Sequence, residues 1–366
     1  MTLEITTTLN PNPVSDERLA EILADPGFGN HFTDHMFRVE WTPEAGWHNA
    51  RIEPYGPLSL DPACSVLHYA QETFEGLKAY RHTDGTIWGF RPEANAARMA
   101  RSSARLAFPV LETEDFVQAI SELVKVDARW VPAAVEGEEK SLYIRPFMFA
   151  SENFLGVRAA QHVTFMVICS PAGSYFKGGM KPVRLWLSES FTRAGRGGMG
   201  AAKTGGNYAS SLAPQAEAYA KGCDQVMFLD ASEGKYLEEL GGMNIFFVYG
   251  GANGGRLVTP STSGTILEGI TRDSLLELAA DHGLKVEERQ IPLSEWRDGV
   301  ASGEITEVFA CGTAAVITPI GELLSADGSI VTPDPGGPVT TALRKNLVDL
   351  QFGRAEDIHG WTTQFA

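Results

Sequence analysis

The sequence is poor in cysteine: four among 366 residues, Cys64, Cys169, Cys223 and Cys311, far apart and without a CxxC pair. That spacing offers no structural zinc site, and a chain this long needs no disulfide framework. Reduced thiols in a cytoplasmic protein are the expectation, with no metal. Long apolar runs are missing as well. None reaches the roughly 18 residues that a membrane span requires. The opening MTLEITTTLNPNPVSDERL has neither a basic start nor an apolar stretch to read as a secretion signal. Basic charge is also short, with 30 Lys and Arg against 46 Asp and Glu, a net −16. That balance excludes a broad phosphate-binding face and hence a nucleic-acid partner. It leaves room for a small, locally basic pocket.

What remains is ordinary for a soluble globular chain: 43% hydrophobic and 21% charged residues, with 38 Gly and 20 Pro supplying turns. The length favours two domains. Residues 1 to about 30 read as a polar arm with one short helix. Strands are expected at 37–41, 86–91, 141–150 and 162–170. Pro92 suits the first turn of a helix, and Thr113 suits the cap of a second that aligns Phe116, Ile120, Leu123 and Val124. SPAGSYFKGGMKP (170–182) separates two apolar runs and reads as a linker. The domains are therefore expected at 1–172 and 184–366, joined by 173–183. In the second half, strands are expected over DQVMFLD and at 245–249, 284–291 and 305–311. Helices are expected from Asn207 to about Lys221, at 271–282 and at 338–351 behind Pro338. The alternation lacks a regular βαβ spacing, so two mixed α/β (α+β) domains are expected instead of one doubly wound sheet.

The densest signal is RAGRGGMGAAKTGGNYASS, residues 193–211. So many glycines in so short a stretch point to backbone amides approaching something closely. Gly195, Gly197 and Gly200 spell G-x-G-x-x-G, but further loop and a second GG intervene before the helix, which a dinucleotide fingerprint does not allow. A phosphate-cradling G-x-x-x-x-G-K-[ST] fails too, because Ala202 precedes Lys203. Spacing alone leaves Lys203 balanced between a functional amine and a solvated loop lysine.

The segment AAKTGGNYASS resembles the lysine segment of the branched-chain aminotransferases, class IV enzymes of pyridoxal-phosphate (PLP) fold type IV. The resemblance extends, in order, through HYAQETFEGLKAYR (68–81), SLYIRPFMF (141–149), LEELGGMNIFF (237–247), LEGITRDSLLELA (267–279) and EVFACGTAAVITP (307–319). It implies two mixed domains with PLP between them, and it makes Lys203 the cofactor's anchor and the base that moves the substrate Cα proton. Burial lowers a lysine's pKa, which such a role requires. Tyr208 would hydrogen-bond the phenolic oxygen of PLP.

PLP draws electrons only while its ring nitrogen stays protonated, which a paired carboxylate maintains. Glu238 and Glu239 both qualify, and strand alternation sends them to opposite faces. The family's acid precedes a hydrophobic residue and a glycine, which selects Glu239 and leaves Glu238 to solvent or a structural pair. Phosphate belongs at a helix N-terminus. The resemblance places it on Gly269, Ile270 and Thr271, with Thr313 and Arg98 adding contacts. Arg101 and Arg105 are the alternatives to Arg98.

For the substrate, the resemblance assigns Tyr143, Arg145, Thr313 and Ala314 to the carboxylate end, and Phe32, Tyr69, Phe74 and Tyr175 to an apolar pocket. One methylene is worth only ~1–3 kcal/mol in such a pocket, so leucine, isoleucine and valine should all serve as donors, with 2-oxoglutarate as acceptor. A homodimer is implied. Two departures stand out. Some members carry a CxxC after G-T-A where this chain reads GTAAVITP, and Gly242 replaces a threonine found in some relatives. The rivals by chemistry are D-amino-acid aminotransferase and aminodeoxychorismate lyase within the fold type, and a nicotinamide dehydrogenase outside it.

Overall fold

The computed structural model describes residues 3–135, 137–173, 180–250 and 255–366. These fall into two compact units. One comprises Met1–Tyr175, Ala202–Gly205 and Asp349–Ala366; the other comprises Phe176–Ala201 and Gly206–Val348. Each carries its own mixed sheet, as the two-domain α/β reading expects. Tyr175 lies outside the described residues, as does much of the expected linker. Among the described residues no helix is long and apolar enough to cross a membrane, and the four cysteines are free and buried.

The sheet of the first unit runs in the order Thr6–Thr7, Gly46–Pro54, His35–Thr42, Val163–Ala172, Ser141–Ala150, Leu77–Arg81, Ile87–Phe90 and Thr362–Gln364. Glu72–Phe74 also pairs with Ser141–Ala150. The helices Pro92–Arg105 and Thr113–Val126 bury one face each. Phe116, Ile120, Leu123 and Val124 join Phe37, Val39 and Phe165 in one core, as the helical spacing anticipates. The second helix is preceded by Glu112 as its cap, so Thr113 is its first residue and not its cap.

The second unit orders its strands Leu237–Leu240, Gln225–Leu229, Val183–Ser188, Val316–Ser325, Ile305–Gly312, Asn244–Tyr249, Arg256–Pro260 and Lys285–Arg289, with Gly328–Val331 on Val316–Ser325. Leu185, Met227, Ile245, Phe247, Val308 and Trp296 fill its core.

Three expectations are corrected. The segment 349–366 does not stay with the second unit, because Thr362–Gln364 pairs antiparallel with Ile87–Phe90 and Trp361 packs edge-on against Phe90. Lys203 also groups with the first unit: its carbonyl accepts hydrogen bonds from Phe74 N–H at 3.0 Å and from the Thr73 hydroxyl at 2.9 Å. The helix expected over 207–221 is broken into Gly205–Ala209 and Leu212–Ala220. At the break, the hydroxyls of Ser210 and Ser211 donate back to the Asn207 carbonyl, offering the backbone an alternative to a continuous helix.

Candidate active site

In the first unit, strand Ser141–Ala150 buries Leu142, Ile144 and Met148 in the core. The period of two turns Tyr143 and Arg145 to the other face. Arg145 Nη2 donates to the Tyr143 hydroxyl at 3.0 Å. The guanidinium lies 4.9 Å from the centre of the Phe74 ring, and Lys203 Nζ lies 4.4 Å from the same ring. One aromatic ring thus lies against both basic side chains. Gly76 allows this packing, since a Cβ there would sit 2.2 Å from the Tyr143 hydroxyl oxygen.

Lys203 is tied at both backbone atoms, its carbonyl as above and its N–H to Ser102 Oγ at 2.9 Å. Ser102 lies on the buried face of Pro92–Arg105 that also presents Asn95 and Arg98. Arg98 is 4% exposed and its Nε and Nη2 donate to Glu75 at 2.8 and 2.7 Å. Asn95 Nδ2 donates to the same carboxylate at 2.7 Å. Arg101 and Arg105 are exposed, so of the three arginines only Arg98 turns inward. Phe32 instead stacks on Tyr55 with ring centres 5.0 Å apart. The Tyr69 hydroxyl donates to the Leu155 carbonyl. The structure therefore gathers Phe74, Tyr143, Arg145 and Lys203, and gives Phe32 and Tyr69 partners in Tyr55 and Leu155.

In the second unit, Glu239 is 2% exposed. Its Oε1 accepts Leu267 N–H at 2.7 Å and lies 2.9 Å from Arg193 Nη1, whose side chain is also buried. Hydrogen bonds to a carboxylate and a neighbouring cation both favour its ionised form. Of the two places expected for Glu238, solvent or a structural pair, it takes the second. It is 5% exposed, and its Oε1 accepts the Thr265 hydroxyl. Burial pushes its carboxyl up, against the pull of Thr265 and of the Arg193 charge. The strand has no wet face, since all four of its residues are buried.

The helix Ile270–Asp281 starts behind Gly269, whose extended backbone caps it without a side-chain hydrogen bond. A Cβ on Gly269 would lie 2.1 Å from Asn244 Oδ1. Asn244 Nδ2 in turn donates to the Leu267 carbonyl at 3.0 Å. The turn 264–269 thus runs from the partner of Glu239 straight into the helix start. Thr313 and Ala314 occupy the turn between Ile305–Gly312 and Val316–Ser325. Val316 closes that turn at φ +60°, a conformation β-branched residues rarely adopt and one that collects at functional sites. Gly242 stands beside Tyr208, where a Cβ would meet Cε1 at 3.4 Å.

The glycine loop is no dinucleotide turn: strand Val183–Ser188 ends well before it and no helix begins until Gly205. Its glycines do approach backbone closely, since a Cβ on Gly200 would stand 2.2 Å from the Thr265 carbonyl oxygen. Sequence reasoning missed Arg193, Glu75 and Ser102. Arg193 heads the loop and Glu75 sits inside FEGLK, so both were in quoted motifs, but only burial reveals their pairing.

Comparison with known proteins places this geometry. The family model for amino-transferase class IV matches residues 72–323. A branched-chain-amino-acid aminotransferase of Mycolicibacterium smegmatis is 55% identical over 98% of this chain and 97% of its own length. A probable branched-chain-amino-acid aminotransferase of Streptomyces coelicolor is 56% identical over 96% and 95%. Among solved structures, the branched-chain amino acid aminotransferase of Escherichia coli superposes with a TM-score of 0.75 at 27% identity, covering 91% of this chain and 99% of the other. That of Thermobaculum terrenum in its PLP form gives 0.73 at 26%, covering 91% and 98%. The chain belongs to the class IV aminotransferases, among the branched-chain-amino-acid aminotransferases.

Proposed function

We propose that this branched-chain aminotransferase uses Lys203 as its PLP anchor and transfers the amino group of L-leucine, L-isoleucine or L-valine to 2-oxoglutarate. The observation that carries the assignment is the fixing of Lys203 at both backbone atoms with its amine over Phe74. A solvated loop lysine has no need of such constraint. The donor set fits the cofactor: a buried carboxylate for a ring nitrogen at Glu239, and a helix start with no side-chain cap for a phosphate at Gly269, Ile270 and Thr271. When bound, PLP supplies an aldehyde that takes up the amino group and a pyridinium ring that draws electrons from Cα.

The residues divide the remaining work. Lys203 Nζ would anchor the cofactor and would move the proton at the substrate Cα. Glu239, with Arg193 and Leu267 N–H beside it, would face the ring nitrogen and favour its protonated form. Tyr208 would donate to the phenolic oxygen, and Thr313 and Arg98 would join the helix amides on the phosphate. Arg145, oriented by Tyr143, and the turn at Thr313–Ala314 hold the substrate carboxylate, which donor and acceptor share. Phe74, Phe32, Tyr69 and Tyr175 are assigned to the side-chain pocket.

A homodimer in the cytoplasm completes the reading. Leu67, Tyr69, Phe154, Leu155 and Val157 are exposed around the bridge between Cys64 and Asn153, an apolar patch suited to a second copy of the chain. Four buried free thiols accord with a reducing compartment.

The purified protein should absorb in the visible, and Lys203→Ala should abolish that band. Assays with L-leucine, D-alanine and aminodeoxychorismate should give turnover with leucine alone. Double-reciprocal plots should run parallel, because two half-reactions share one enzyme; converging lines would refute the scheme.

A further inference from the structure

Glu239 does not hold its place unaided. Two of its partners, Leu267 N–H and Arg193, both depend on one short turn. Leu267 belongs to that turn, and Arg193 Nη1 donates to the turn's Thr265 carbonyl at 3.0 Å. Thr265 is in turn gripped by its side chain, whose hydroxyl donates to Glu238 Oε1 and meets Ser263 Oγ at 2.8 Å. Glu238 and Thr265 are 5% and 6% exposed. Among the described residues Glu238 Oε2 has no hydrogen-bond partner. A carboxyl group left half-satisfied in a buried site is costly, and an apolar residue would fill the same space without that cost. Stability alone therefore gives no reason for an acid at this position.

We propose that Glu238 and Thr265 are positioning residues for the Glu239–Arg193 pair. Glu238 fixes the Thr265 hydroxyl, and the Thr265–Leu267 backbone then presents a carbonyl to Arg193 and an amide to Glu239. The acid facing the cofactor's ring nitrogen is thereby aimed by the residue preceding it in the chain. The inference rests on Glu239 being that acid.

The test compares Glu238→Gln, Glu238→Leu, Thr265→Ser and Thr265→Val in the PLP-loaded enzyme, with Glu239→Gln as reference. The readouts are the visible spectrum of the bound cofactor at fixed pH, PLP dissociation, kcat and KM for leucine, and the thermal midpoint. Glu238→Gln and Thr265→Ser keep an acceptor and a donor and should retain the wild-type spectrum. Glu238→Leu and Thr265→Val should move the spectrum toward that of Glu239→Gln and lower kcat about tenfold, with KM changing less than about twofold. Wild-type spectrum and kcat in both apolar variants would overturn the proposal, whatever their thermal midpoints. So would a Glu238→Gln variant as damaged as Glu238→Leu, since charge would then act instead of the hydrogen bond. If Glu239→Gln itself leaves the spectrum unchanged, the assignment of Glu239 falls and takes this inference with it.

Discussion

Replacing Glu75 should be among the most damaging single changes in the first unit. Glu75 is fully buried and accepts from Arg98 Nε, Arg98 Nη2 and Asn95 Nδ2 at 2.7–2.8 Å. Glu75→Ala takes the carboxylate away from a guanidinium that is 4% exposed and cannot lose its proton. Breaking a buried pair from one side costs about 3–5 kcal/mol. The first unit has about 200 residues. At about 2.1 cal/mol/K per residue its unfolding entropy is about 0.4 kcal/mol/K, so its midpoint should fall by about 7–12 °C. If Arg98 also holds the cofactor's phosphate, loading supplies an anion in place of the lost carboxylate. The deficit should then be smaller with PLP bound than in the apoenzyme. Calorimetry of wild type and Glu75→Ala, each with and without PLP, reads both effects. A midpoint within about 2 °C of wild type in the apoenzyme would refute the energetic reasoning. An equal deficit in both forms would refute Arg98 as a phosphate ligand while leaving the ion-pair argument intact.

Three further outcomes follow from the geometry. Gly269→Ala places a Cβ 2.1 Å from Asn244 Oδ1 and must displace the helix start, so PLP titration should show weaker binding, with the thermal midpoint of the apoenzyme reporting the structural share. Gly76→Ala drives Tyr143 away from Arg145, and steady-state kinetics should show KM for leucine and 2-oxoglutarate rising more than kcat falls. Asp230 is held below the usual carboxylate range. Burial alone would raise it, but the Ser232 hydroxyl and the backbone N–H groups of Tyr236, Lys235 and Glu233 prevail. The stability it contributes is therefore present above its unfolded value of about 3.9 and is lost as pH falls toward its folded one. Urea unfolding should show Asp230→Asn less stable than wild type at pH 7, with the gap closing below about pH 4.

Most regular elements were legible because their signals are local. Pro92 and Pro338 opened helices where a missing N–H does no harm, and the apolar spacing of Phe116 to Val124 matched a helix face. The motif residues were legible by resemblance, and several proved to be neighbours within one unit, as with Phe74, Tyr143, Arg145 and Lys203. The failures share a different origin. The return of 349–366 to the first sheet depends on a pairing between residues far apart in sequence, which no periodicity encodes. Between solvent and a structural pair for Glu238 the sequence could not choose, because alternation does not say whether a strand has a wet face, and all four residues of Leu237–Leu240 are buried.

The same limit explains why the residues around Glu239 escaped a sequence reading that singled out Glu239. Glu239 can be chosen from a local pattern, but its chemistry is set by what surrounds it, and those groups come from separate stretches of chain. Arg193 opens the glycine loop, while Thr265 and Leu267 belong to the turn before a helix. None of them carries a distinctive signature alone. Arginine in a glycine-rich loop ordinarily reads as a solvated cation, and threonine before a helix as a cap. Only their burial together, with an ion pair at 2.9 Å and a backbone hydrogen bond at 2.7 Å, turns them into the setting of a carboxylate held away from water. The carboxylate is thus a property of one position, whereas its setting is a property of a packed cluster, and a packed cluster is what a linear pattern cannot display.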